Sequence, residues 1–186
     1  LLPLLLAPQL ALAHTTYILE YSGAPFGNLA QAHGTITFSN DAPPNPSAET
    51  FLFPGSDVSD FALTVLGASH GNGTFRLADY EYFSWNTKNV QLDLSLDLIG
   101  QVTVNGLAWA SEAGAGGFGL GAALDSGAPT SLHWYVLATN EGLPNASEHL
   151  RLTSFRPVPV PPAFWLFAAA LGSLFAFPKK RKATSV

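Results

Sequence analysis

Between His14 and Pro157 the apolar residues recur at every second position in short runs. That is the signature of strands with one face buried and one in water. The clearest run is VQLDLSLDLIG, where Leu92, Leu94, Leu96 and Leu98 fall on one side and Gln91, Asp93, Ser95 and Asp97 on the other. DFALTVLG places Phe61, Leu63 and Val65 on one face, and SLHWYVLATN does so with Leu132, Trp134 and Val136. TTYILEY, HGTITFS, ETFLF, GTFRLADYEYFSW, QVTVNGLAW and HLRLTSF complete the predicted strands. In GTFRLADYEYFSW the inward phase runs through Phe75 and Leu77 and restarts at Tyr80 and Tyr82. That slip predicts a β-bulge near Ala78-Asp79.

Breakers separate the runs: Gly23 to Asn28, Asn40 to Ser47, Gly71-Asn72-Gly73 and Gly114 to Gly117. They are rich in residues that supply the backbone angles of tight turns. About nine short strands without crossover helices predict antiparallel pairing. The expected fold is all-β, an antiparallel β-sandwich of jelly-roll-like form, followed by a C-terminal transmembrane helix. GAGGFGLG (Gly114 to Gly121) reads as a flexible loop entering an edge strand.

Three segments are expected: 1–13, 14–157 and 158–186. LLPLLLAPQLALA is a 13-residue apolar run ending Ala11-Leu12-Ala13, which matches the hydrophobic region and small-residue cleavage site of a secretory signal. Pro3 and Pro8 argue against a buried helix there. With no methionine in the chain, the N-terminus reads as cropped. Pro162 to Phe177 is an uncharged 16-residue run, about 24 Å long as a helix against a hydrocarbon core of about 30 Å. Lys179, Lys180, Arg181 and Lys182 follow it and mark a cytoplasmic end, their side chains reaching back toward the interface.

Charge sharpens this division. Only 11% of residues are charged, against about 25% in an ordinary soluble protein. The 14–157 segment holds four cations (Arg76, Lys88, Arg151, Arg156) and all 13 acidic residues, a formal net charge of −9. Such a domain repels a nucleic-acid backbone, so no nucleic-acid partner is expected. The absence of cysteine excludes disulfides, thiolate metal sites and a cysteine nucleophile.

The C-terminal segment also resembles a known sorting signal. Val158-Pro159-Val160-Pro161, an apolar stretch opening Trp165-Leu166-Phe167 with Gly172 inside it, and the basic end Lys179 to Lys182 resemble the PEP-CTERM signal in its Val-Pro-x-Pro-Ala variant. The Pro-Glu-Pro core of the main family is absent, and Pro162 stands where that variant usually carries Ala; the bond to be cut is left open. The resemblance implies processing by an exosortase, a membrane transpeptidase-like cysteine enzyme. It implies passage through the inner membrane to the cell surface or exopolysaccharide matrix. VSDFALTVLGASHGNGTFRLADYEYFSWNT is similar to domains often found ahead of this signal, in families without an assigned activity.

Little else points to chemistry. His14, His33, His70, His133 and His149 are scattered without metal-ligand spacing. On a straight strand Asp93 and Asp97 would lie about 13 Å apart, too far for a retaining-glycosidase pair at about 5 Å. No nucleophile elbow, phosphate loop or dinucleotide fingerprint occurs. No catalytic residue, metal or cofactor is therefore expected. Trp109 and Trp134 read as core, whereas Tyr80 and Tyr82 divide evenly between core and sugar contact. The expectation is an exported, non-enzymatic surface or matrix protein with a structural or adhesive role. The alternatives are a carbohydrate-binding module and a C-terminally anchored periplasmic domain.

Overall fold

The computed structural model describes residues 14–39, 43, 45–52, 57–122, 127–133, 136–140 and 147–159. The described residues are mostly β-strand, and their strands pair antiparallel. Its strands are β1 (Thr15–Ser22), β2 (Gln31–Phe38), β3 (Ala48–Leu52), β4 (Val58–Leu66), β5 (Gly73–Arg76), β6 (Tyr80–Asn86), β7 (Gly117–Ala122), β8 (Thr130–His133), β9 (Val136–Thr139) and β10 (Glu148–Pro157). One sheet has the order β5-β4-β2-β1-β10-β9-β8 and the other β3-β6-β7. Among the described residues no helix is long and apolar enough to cross a membrane. The expected spanning segment, 162–177, lies outside the described residues, as does 1–13.

Alternation creates the core between the sheets. Tyr17 and Leu19 of β1, Ile36 and Phe38 of β2, Phe61 and Leu63 of β4, and Phe155 of β10 are buried on the inner face of the large sheet. Phe83, Trp85, Phe118 and Leu120 answer from the small sheet. Rings interlock across the gap: the Phe38 centroid lies 6.1 Å from Phe83 and 6.3 Å from Trp85. Phe155 meets Trp85 at 5.5 Å and Phe118 at 5.3 Å, both edge-on, the geometry that aromatic quadrupoles favour. Trp109, expected in the core, is fully buried and its indole N–H donates to the Asn86 carbonyl at 2.8 Å.

Four expectations are corrected. VQLDLSLDLIG is a looped segment, not a strand. Its Asp side chains capture local backbone: Asp93 Oδ1 accepts from Ser95 N at 3.0 Å and Asp97 Oδ1 from Ile99 N at 3.1 Å. These turns compete with a ladder, so Leu92 and Leu98 are buried while Leu96 is 58% exposed. QVTVNGLAW turns back on itself at Asn105-Gly106, both at positive φ, leaving a single bridge, Val102–Ala108. SLHWYVLATN is not one strand, because β8 and β9 pair antiparallel within it.

The fourth correction concerns GTFRLADYEYFSW, which is split between the two sheets. A 3-10 turn over Leu77–Asp79 separates β5 from β6, and Asp79 Oδ2 accepts from Arg76 N at 2.7 Å. The register slip lies further on, between Tyr80 and Tyr82 where β6 pairs β7. The inward residues of β6 are consequently Tyr80, Phe83 and Trp85.

Strands β2 and β4 approach closely at Gly34. A methyl group there would lie 2.9 Å from the Leu63 Cα and closer still to the Ala62 carbonyl oxygen, both rigid backbone. Gly34→Ala is expected to cost about 1–3 kcal/mol, read as a lower urea midpoint at unchanged slope.

Candidate functional site

Of the expected sorting motif, Val158 and Pro159 are described, and they follow directly on β10. Strand β10 pairs β1 as far as Pro157 opposite Tyr17, and the Val158 N–H donates to the Thr16 carbonyl at 2.8 Å. Val158 is 42% exposed, and Pro159 after it has no N–H to extend the ladder. Because β1 and β10 are antiparallel neighbours inside the large sheet, the chain enters at Thr15 and leaves at Val158 on the same edge of the fold. Val160, Pro161, Trp165, Leu166, Phe167, Gly172, Lys179, Lys180, Arg181 and Lys182 lie outside the described residues.

Tyr80 and Tyr82 do not form one platform. Tyr80 is 3% exposed and meets Phe61 edge-on at 5.2 Å. Burial, then the nearby Tyr21 and Asp79, push its hydroxyl well above the ordinary phenol range. Tyr82, beyond the slip in register, is half-buried on the other side of β6. Its ring lies across Gly121, its cross-strand partner, where a methyl group would collide with it. Trp134 lies outside the described residues.

The loop carrying Asp93 and Asp97 is built around its own polar side chains. Gln101 accepts from Asp93 N at 2.7 Å and donates to the carbonyls of Asp93 and Asp97 at 2.9 and 3.0 Å. Asp97 is the tie to the sheet: it accepts from Ser154 Oγ at 2.7 Å and from Phe155 N at 3.0 Å. Leu98 N donates to the Phe155 carbonyl at 2.9 Å, so the loop covers β10 beyond the Val136–Arg151 pair where β9 stops. Burial raises the Asp97 pKa, but the hydrogen bonds from Phe155, Ser154 and Ile99 and the Arg156 charge outweigh it and hold the carboxyl below its usual value. Asp93 is also lowered, by the Ser95 hydroxyl first and its backbone N–H second.

On the outer face of the large sheet, Ile18, Glu20, His33, Gly34, Thr35, Ala62 and Thr64 line a shallow trough of about 520 Å³. The register aligns its walls into two rows that cross the strands. One runs Arg76, Ala62, Thr35, Ile18, Arg156, and the other Thr74, Thr64, His33, Glu20, Ser154. Glu20 pairs with Arg156 at 3.2 Å, and the Thr64 and Thr74 hydroxyls are 2.8 Å apart. The sequence shows His33 as one of five scattered histidines and gives this face no role; the alignment of three strands is invisible to any local pattern.

His70 and His149 do not line the trough; His149 is tilted against Phe26 at 5.7 Å. Among the described residues no three His, Asp or Glu side chains come together as a metal-binding group. No family model matches the sequence, no curated protein matches it, and no solved structure matches the fold.

Proposed function

We propose that this chain is an exported surface or matrix protein with a structural or adhesive, non-enzymatic role, delivered by residues 1–13 and sorted by residues 158–186. In this reading the two facing sheets form a jelly-roll-like β-sandwich, and residues 162–177 form the transmembrane helix that holds it at the inner membrane. An exosortase acts at the Val158 to Pro161 motif and passes the domain to the cell surface or exopolysaccharide matrix.

The observation that carries the reading is the hydrogen bond from Val158 N to the Thr16 carbonyl, which sets the start of β1 beside the end of β10. A leader and an anchor attached there would meet the membrane at one pole, leaving the opposite loops pointing outward. The proline after Val158 then gives a connector that cannot rejoin the sheet.

The mass of the mature protein from its native cell, with its C-terminal residue assigned, tests this. The expected product ends between Val158 and Pro162 and is found outside the cell. A chain ending at Val186 in the inner-membrane fraction would overturn sorting and leave a C-terminally anchored periplasmic domain.

A further inference from the structure

We propose that the trough across β4, β2 and β1 binds a neutral, polyhydroxylated chain, a stretch of uncharged polysaccharide lying across the strands. Its shape comes first. The depression is shallow, on a sheet face, and bounded by rows that continue across five strands. At about 4.8 Å per strand the three strands that line it span about 10 Å, a length that takes linked rings lying across the strands.

The lining has the matching chemistry. Sugar rings offer hydroxyls that both donate and accept, and C–H faces that are apolar. Ile18 and Ala62 supply apolar ground, Thr35 and Thr64 hydroxyls of both polarities, Glu20 a two-oxygen acceptor and His33 a ring with one donor and one acceptor when neutral. The polar groups are also held in place, Glu20 by Arg156 and Thr64 by Thr74. They sit on β-branched or cross-braced strand positions, so little freedom is lost on binding.

Charge selects the kind of chain. Glu20 is the one carboxylate in the lining and is balanced by Arg156 beside it, and the lining itself holds no Lys or Arg to attract an anion. The surrounding 14–157 segment carries a net −9 and opposes the approach of a polyanion. An uncharged polysaccharide meets neither obstacle. This names a partner for the adhesive role and rests on that reading only for the source of the glycan.

The test uses the purified full chain in a zwitterionic detergent without a sugar headgroup, applied to an array of neutral and acidic glycans. Affinity electrophoresis in gels cast with the best neutral binder follows. Retention on neutral glycans is expected at low and high salt. It should fall about tenfold in the Thr64→Val, Glu20→Ala double variant, the loss of two ordinary hydrogen bonds. Thr64→Val suits a strand, and Glu20→Ala removes only an exposed ion pair of small worth, so the melting temperature should hold; His33→Ala should weaken retention independently. Retention should survive Tyr82→Ala. The proposal is overturned by no neutral glycan retained, by retention unchanged in the double variant, or by binding only to acidic glycans that salt abolishes. Binding is read on isolated protein, so a chain that keeps its tail in the cell would sink sorting without touching this result.

Discussion

The Phe155→Ala chain is expected to lose about 3–5 kcal/mol of unfolding free energy, out of roughly 5–15 kcal/mol for a domain of ordinary stability. Phe155 is fully buried and is the ring through which the two sheets meet. Its centroid lies 5.4 Å from Tyr17 on its own sheet, 5.5 Å from Trp85 and 5.3 Å from Phe118 on the other, and 6.1 Å from Trp109 in the connecting loops. Four partners from four segments of chain cannot all move inward to fill the space, so the cavity term adds to the lost transfer energy. Equilibrium urea unfolding checks this: the midpoint should drop sharply while the slope stays constant. Leu96→Ser, at a position the alternating pattern gives equal standing but the structure leaves 58% exposed, should shift stability by less than about 0.5 kcal/mol.

That contrast marks how far the sequence could be read. Period-2 alternation located β1, β2, β4 and β10 because each has one face on the core, and burial follows the pattern at Tyr17 and Leu19 or Phe61 and Leu63. The same alternation misled at Leu92 to Leu98. There the polar half of the pattern, Asp93 and Asp97, is made of residues whose short carboxylates bond the backbone two positions on. Polarity alone does not distinguish an outward strand position from a turn-former, although chemical type does. Asn105-Gly106 carried an equally legible turn signal inside a predicted strand. The split of GTFRLADYEYFSW between two sheets had weaker notice, since a phase slip looks alike for a bulge and for a corner.

The candidate sites divide along the same line. That the last strand ends at the prolines is local and readable at Pro157 and Pro159. That its end lies beside Thr16 depends on a pairing across most of the chain, which no short pattern encodes. For the trough, Ile18 and Glu20, His33 and Thr35, and Ala62 and Thr64 are each an ordinary outward pair two residues apart. Only the order β4-β2-β1 turns three such pairs into one surface.

Asp97→Ala should be the most damaging change at a carboxylate among the described residues, and its effect should depend on pH. The side chain takes three hydrogen bonds, from Ser154 Oγ, Phe155 N and Ile99 N. Without it the N–H of Phe155, on a fully buried residue, loses its acceptor, at a cost of about 1–3 kcal/mol. The Leu98–Phe155 bond that covers the edge of β10 would be weakened with it. The carboxyl is held below its usual pKa in the folded chain, against about 3.9 when unfolded. Its ionised form therefore stabilises the fold in full above the unfolded pKa. That contribution is lost as pH falls through the lower folded value, so the window is below about pH 4. Asp97→Asn separates shape from charge. Its Oδ1 can still accept from Phe155 and Ile99, and Ser154 can turn its hydroxyl to accept from the new amide. The Asn chain should be modestly less stable at neutral pH and should lose less stability on acidification than the parent, while the Ala chain is weak throughout. Urea midpoints at neutral pH and at about pH 3 decide it: parallel losses in the parent and Asn chains would show that Asp97 ionisation does not hold the loop to β10.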